Sequence, residues 1–358
     1  MSNMDLARRT SVRVVFDGAD ITGSILKYLD SITYTDNEAD ETDDLQIRLH
    51  DRDGVWLANW LCGAIDAAAS NAPNSGFTIS ASFIRENWNS DGRDLVLDCG
   101  QFELDAVSAD GPPSTVFIKG TSLPYGSGLR QTLKNRAWEA VRLSSVASEI
   151  ADSGGLGFLF DSLRDPFYKR LEQVWMSDIA FLSRLCRDAG VSLKVTDNIV
   201  VLFDQVEYES KPPVFDIMRG DGRYLKWSLN TGSAGTKYSS CRVSCIDLST
   251  GRAIEGVAYE EAYREGGKYN VQLEVAAKVD CAEDARVLAE KRLRLVNKYG
   301  LTAQFLFPGN PVLVAGVTVT LSGWGKWCGK YIVSQALHRV GSSGYTTQVK
   351  LRKVLEGY

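Results

Sequence analysis

The sequence has very little of the side-chain chemistry that metal sites and hydrolytic triads require. Among its 358 residues there are only two histidines, His50 and His338. No Cys-x-x-Cys or His-Glu-x-x-His spacing occurs, so a zinc site would need scattered ligands. Both histidines belong to strand-like patterns, which does not favour a role as the base of a nucleophile. We therefore predict no catalytic, cofactor-binding or metal-binding residues, although paired carboxylates among 45 acidic residues stay open.

An excess of basic charge and a long apolar run are also missing. Lysine and arginine together number 40 against 45 acidic residues, so the formal net charge is −5. This balance does not favour specific nucleic-acid binding. No segment approaches the roughly 18 apolar residues of a membrane-spanning helix, and no apolar run of signal-peptide length follows the N-terminus. We expect a chain that folds in a cytoplasm without membrane insertion, its seven cysteines reduced.

Two motifs that resemble ligand sites fail in detail. Residues 323–331 lack phosphate-loop spacing and lead into a strand, so we interpret them as a turn. A cluster of acids alternates at first like calcium ligands, but Glu41 occupies the glycine position and Ile47 replaces the closing glutamate. We interpret this acidic cluster as a solvated hairpin tip and as a candidate interface surface. Its members are Asp36, Glu38, Asp40, Glu41, Asp43 and Asp44.

Period-two alternation predicts strands near both ends of the chain. Leu45, Ile47 and Leu49 alternate with polar residues, and the spacing of the turn signals is typical of a small antiparallel barrel or sandwich. We predict a mainly β, α+β protein, in which two small antiparallel β-barrel domains flank a mixed α/β insertion. The predicted boundaries are 1–110 for the first barrel, 111–211 for the insertion, and 212–358 for the second barrel with a helix around 280–300.

The predicted insertion contains two helices and a hairpin. The first helix carries an apolar stripe from Trp138 to Ile150, and the second follows the cap residue Ser177 and ends at Gly190. Strands 191–195 and 199–203 then form the hairpin. In the last domain, the pair Asp280 and Glu283 predicts a capping box at the start of the long helix. The order barrel, insertion, barrel suggests a duplication, although no residue-level repeat is visible.

Several tryptophans lie near turns, where aromatic side chains often anchor partners. We take these as interface candidates, whereas Trp138 is expected in the core. The candidates are Trp56, Trp60, Trp88, Trp324 and Trp327.

The order of several longer segments carries a family resemblance. These segments are residues 29–36 with 44–56, 99–105, 111–120, 172–182 with 189–195, and 329–333 followed by His338. Together they resemble the phage late control protein D family, the baseplate hub proteins of contractile tails and related bacteriocins. One departure is Leu61-Cys62, where the family pattern has a proline.

The resemblance implies a non-enzymatic structural role. It implies a trimeric ring that adapts the six-fold tail tube to the three-fold central spike, located in the baseplate of a virion or tail-like particle. The implied partners are two further copies of the chain, the tube protein, the spike protein, other baseplate proteins and a tape-measure protein. Acids lining the bore would repel DNA passing through it. A tail-associated cell-wall hydrolase and the hub part of a secretion-system spike remain alternatives.

Overall fold

The computed structural model describes residues 7–57, 77–88, 93–123, 128–163, 165–232, 237–246, 251–261, 263–267, 270–277, 279 and 281–355. These residues form a mainly β, α+β protein with one large, mostly antiparallel sheet and three small sheets, as the sequence predicted at this level. The first unit comprises β1 (Arg9–Phe16), β2 (Ala19–Asp20), α1 (Thr22–Leu26), β3 (Leu29–Asn37), β4 (Asp44–His50), β5 (Thr78–Glu86), β6 (Leu95–Asp110) and β7 (Thr115–Thr121).

The middle unit contains most of the helical structure predicted for the insertion. Its elements are β8 (Lys134–Arg142), α2 (Leu143–Ser153), β9 (Gly157–Asp161), β10 (Phe167–Met176), α3 (Asp178–Ala189), β11 (Ser192–Thr196), β12 (Ile199–Phe203) and α4 (Gln205–Ser210). The last unit comprises β13 (Phe215–Met218), β14 (Lys226–Thr231), β15 (Ser240–Ile246), β16 (Ala253–Tyr259), β17 (Gln272–Ala276), α5 (Ala282–Asn297), β18 (Leu301–Pro308), β19 (Thr318–Ser322), a 3-10 turn (Gly325–Trp327), β20 (Gly329–Gly341) and β21 (Gly344–Lys353).

The first and last units share a single sheet of 13 strands. Its order is β14-β18-β21-β20-β3-β4-β7-β6-β5-β1-β2, with β19 beside β20 and β13 beside β19. The two units meet where β20 pairs antiparallel with β3, from Gln335 opposite Asn37 to Gly341 opposite Ser31. Separate apolar cores lie under each half of this sheet, so the units are distinct in packing but continuous in hydrogen bonding.

Five strands of the first unit recur in the last unit with the same neighbours. The order β3-β4-β7-β6-β5 is repeated as β14-β18-β21-β20-β19. The irregularities are repeated too, since the register shifts after Leu104 in the β6–β7 pair and after Val333 in the β20–β21 pair. Leu104 donates its N–H to the Phe77 carbonyl, and Val333 donates to the Val317 carbonyl, both at 2.9 Å. The topology is therefore duplicated; the sixth strands differ, because β1 is antiparallel to β5 whereas β13 is parallel to β19.

The middle unit confirms the second predicted helix and corrects the first. α3 begins after Ser177 and ends at Gly190, which has a φ of 70°. Trp138, however, belongs to strand β8 and lies opposite Leu171 of β10, so the helix begins only at Leu143. The indole of Trp138 is buried, as expected, and stacks on Phe181 at a centroid distance of 5.3 Å. The predicted hairpin is β11–β12.

The long helix α5 packs against the small sheet β16-β15-β17. Its N-cap is Cys281, whose sulfur accepts a hydrogen bond from the Asp284 backbone N–H. Asp280, the predicted cap, lies outside the described residues. The six cysteines in the described part of the chain are free thiols.

Helix α5 lies very close to this sheet at Gly256 of β16. A Cβ atom there would lie 2.2 Å from the backbone nitrogen of Arg286 and 2.4 Å from the Ala285 carbonyl carbon. We expect Gly256→Ala to destabilise the protein by about 1–3 kcal/mol, because the strand and helix must separate. Thermal unfolding measures the effect. Gly23→Ala is the matched control, since the added methyl group has no atom within 4 Å apart from its chain neighbours and the backbone of its own helix. Equal midpoints for both variants would contradict the prediction.

Candidate assembly interface

The acidic cluster lies in the hairpin between β3 and β4. The interpretation that its side chains are solvated is wrong for three of the six residues. Asp36, Glu38 and Asp43 are buried. Lys194 of β11 explains two of them, because its ammonium lies 2.6 Å from an Asp36 oxygen and 3.4 Å from an Asp43 oxygen. Asp36 also accepts the Ala315 backbone N–H at 2.8 Å. These carboxylates therefore connect the first unit to the middle and last units.

Arg352 explains the burial of Glu38. Its side chain is 1% exposed, and its Nε donates to a Glu38 oxygen at 2.9 Å. Its Nη1 donates to Glu209 of α4 at 2.6 Å, and Glu209 also accepts from Arg294 of α5. Burial alone would lower the pKa of Arg352, but the two glutamates outweigh it and raise that pKa. The ion network joins β21, α4, α5 and the β3–β4 hairpin.

The remaining acids of the cluster stay available for contacts with other molecules. Asp40 and Glu41 are exposed at the hairpin tip. Asp44 is partly exposed, and its carboxylate lies 3.6 Å from the Lys119 ammonium. Of the six acids, these three are thus the ones that stay candidates for a lumen or interface surface.

The tryptophan candidates divide into buried and partly exposed side chains. Trp56 and Trp324 are 6% and 4% exposed, so they belong to the core and not to a free surface. Trp324 donates its indole N–H to the Ile217 carbonyl at 2.9 Å. Trp88 and Trp327 are partly exposed and remain interface candidates. Trp60 lies outside the described residues.

A buried histidine lies at the seam between the first and last units. His338 of β20 is opposite Tyr34 of β3. One ring nitrogen lies 3.1 Å from the Leu313 carbonyl, and the other lies 2.8 Å from the Tyr345 hydroxyl and 3.2 Å from the Thr347 hydroxyl. Burial lowers the pKa of His338 to about 4. The imidazole is therefore neutral at pH 7, and its hydrogen bonds serve packing.

The surface that sequence reasoning missed consists of two sheet edges. The end of β6, residues 106–110, is exposed except at Val107, which is half-buried. Strand β14 ends the large sheet and carries Trp227, which is 47% exposed. Exposed edges of this kind are sites for pairing with another chain. These edges are recognised from the strand order of the large sheet, which the sequence pattern alone does not reveal.

A polar cleft of about 450 Å³ lies between β5, β6 and the β11–β12 turn, and Tyr34, Asp98 and Cys99 are part of its lining. Among the described residues no group of three or more His, Cys, Asp or Glu side chains is arranged to hold a metal ion. The described helices are all too short or too polar to span a bilayer.

Comparison with known proteins identifies relatives among phage tail proteins. No family model matches the chain. The probable baseplate hub protein of Escherichia phage 186 is 22% identical over 400 residues, which covers 98% of this chain and 96% of that protein. The probable baseplate hub protein of Escherichia phage P2 is 29% identical over 218 residues, 58% of this chain and 50% of that protein.

Solved structures with a similar fold are also tail proteins. A tail protein from Neisseria meningitidis superposes with a TM-score of 0.70 at 11% identity, covering 96% of both chains. A 43 kDa tail protein of prophage MuSo2 from Shewanella oneidensis gives a TM-score of 0.64 at 14% identity, covering 96% of this chain and 98% of that one. The chain therefore shares its fold with these two tail proteins. In sequence, the chain is related to probable baseplate hub proteins, which confirms the predicted resemblance.

Proposed function

We propose that this chain is a structural, non-enzymatic hub in the baseplate of a contractile phage tail. The observation that carries the proposal is the relationship to the hub protein of phage 186 over 98% of the chain. The tail-protein fold, with a TM-score of 0.70 to the Neisseria protein, supports it independently.

We further propose that three copies form a ring between the tail tube and the central spike. The duplicated topology supports this stoichiometry, because three chains with two similar units each present six similar positions. Such a ring is a closed head-to-tail assembly, in which each copy uses two different surfaces. Asp40 and Glu41, exposed at the hairpin tip, are candidates for its bore, where negative charge would repel passing DNA.

The alternatives have weaker support. A component of the Escherichia coli type VI secretion system has a similar fold, with a TM-score of 0.51 at 10% identity over 98% of this chain and 78% of that one. This similarity concerns the fold alone, whereas the sequence relatives are phage proteins. Both curated relatives are described as hub proteins, so they lend no support to a cell-wall hydrolase.

Quantitative mass spectrometry of purified particles tests the proposal. We expect three copies of this chain per particle, calibrated against a tube protein present in multiples of six. A soluble control fraction from the same cells corrects for carry-over. Absence from sedimentable particles, or a copy number other than three, would contradict the hub ring.

A further inference from the structure

The junction inside the chain shows how one unit of this fold pairs with the next. Strand β20 is longer than its neighbour β19, which covers only its first four residues, 329–332. The rest of the same edge, residues 335–341, pairs antiparallel with β3 of the first unit. A free strand end in one unit is thus completed by an edge strand of the other unit.

Pairing partners establish which residues of the two units are equivalent. Ile332 of β20 lies opposite Thr318 of β19 and Arg352 of β21. Glu103 of β6 lies opposite Thr78 of β5 and Thr121 of β7, so Ile332 and Glu103 occupy equivalent positions. Beyond the shared bulge, residues 106–110 of β6 therefore correspond to residues 335–339 of β20. By the same procedure, residues 228–231 of β14 correspond to residues 33–36 of β3, through their pairing with β18 and β4.

Within the part of the chain that the structure describes, no strand pairs with the outer side of either equivalent edge. Among the described residues no strand bonds to the outer side of 106–110, which extend past the start of β5 at Thr78. Ala106, Ser108, Ala109 and Asp110 are exposed. Strand β14 has β18 as its one neighbour in the described sheet, and it is likewise largely exposed. An unpaired edge is a liability that a neighbouring chain can cover.

We propose that the end of β6 in one copy pairs antiparallel with β14 of the next copy, repeating the internal junction. Transferring the register of the β20–β3 pair places Val107 opposite Thr231, Ser108 opposite Asn230, Ala109 opposite Leu229 and Asp110 opposite Ser228. The inference deepens the proposed ring and rests on it. Three internal and three intermolecular junctions then alternate around the closed assembly.

The side chains at the two edges are compatible with this register. Val107 and Leu229 pack partly against the apolar cores of their own units, so both edges present apolar residues on the core side. On the opposite face, Asp110 would be diagonal to Lys226, and such a pair of opposite charges favours antiparallel pairing. At the internal junction, His338 occupies the position equivalent to Ala109, and Tyr34 occupies the position equivalent to Leu229.

A cysteine pair tests both the contact and its register. Ser108→Cys combined with Asn230→Cys places two thiols directly opposite each other, at a Cβ separation of about 4.5–5.5 Å. Oxidation of particles carrying this variant should give covalently linked dimers and trimers on non-reducing gels. These linked species should contain most of the protein. The two strands are seven steps apart in the sheet of one chain, so the bond forms between copies.

Matched variants separate the register from general thiol reactivity. Asp110→Cys with Asn230→Cys sets the thiols on a diagonal, about 7–8 Å apart, beyond disulfide reach. We expect little cross-linking from it, from either single variant, or from the parent chain with its exposed Cys281 and Cys328. Mixing differently tagged single variants, Ser108→Cys and Asn230→Cys, before assembly should yield a cross-linked species carrying both tags.

The outcomes distinguish this inference from the proposed function. Three copies per particle without the Ser108–Asn230 cross-link would overturn the edge pairing and leave the hub ring standing. Preferential cross-linking of the diagonal pair would overturn the register. A copy number other than three would overturn the ring itself.

Discussion

Replacing Arg352 with methionine should destabilise the protein by about 3–5 kcal/mol, because the change leaves buried carboxylates without their cation. Glu38, which is 5% exposed, loses both guanidinium hydrogen bonds. Glu209 keeps Arg294 as its remaining partner. We expect a lower urea midpoint and earlier proteolysis at the junction between the units.

Two comparisons make this test specific. Arg286→Met removes two exposed ion pairs on α5, with Glu283 and Glu290, and should change the urea midpoint very little. Adding Glu38→Leu to Arg352→Met should recover much of the loss, because the main uncompensated charge is then absent. If Arg352→Met were as stable as Arg286→Met, the buried network would not hold the units together.

Stability should fall as the pH is lowered from 6.5 towards 4, and His338 should account for a loss of about 3 kcal/mol in this window. The unfolded histidine takes up a proton near pH 6.5, whereas burial lowers the pKa of folded His338 to about 4. Between these values the unfolded state binds more protons, so the free energy of unfolding decreases with decreasing pH. Above pH 6.5 the full contribution of His338 to the free energy of unfolding is present.

His338→Gln isolates this effect from the other titrating groups. Burial raises the pKa of Asp43 to about 6, so Asp43 favours the folded state as the pH falls and opposes the histidine. The measurement is the difference in urea midpoint between pH 7 and pH 4.5 for each protein. We expect a smaller difference in the variant, whatever its absolute stability; the same difference in both proteins would show that His338 is not the source.

Local signals determined which elements were predictable. Ser177 and Gly190 bound α3 as expected, because residue types at helix ends are a local signal. The Ser177 side chain nevertheless makes no capping hydrogen bond. Trp138 was misplaced, since β8 runs directly into α2 and the apolar residues of both elements form one apparent stripe. No glycine or proline separates the strand from the helix at Leu143.

Long-range partners explain the errors at the candidate site. Asp36 and Glu38 read as solvated acids because Lys194 and Arg352 lie 158 and 314 positions away in sequence. The domain order suggested a duplication, but no residue-level repeat was visible in the sequence, for a related reason. Equivalent positions keep their backbone pairing and not their side chains, as Tyr34 and Leu229 show.

The duplicated units differ most in the connection that follows their first shared strand. After β3 the chain returns through residues 38–43, a short turn, whereas after β14 it returns through residues 232–300, which carry β15, β16, β17 and α5. In the proposed ring, short and long connections would alternate at 60° intervals. Sheets that present six similar positions would then bear protrusions at only three of them. A partner with three-fold symmetry could contact all three protrusions equivalently, whereas a partner with six-fold symmetry could dock only on a surface that the protrusions do not reach.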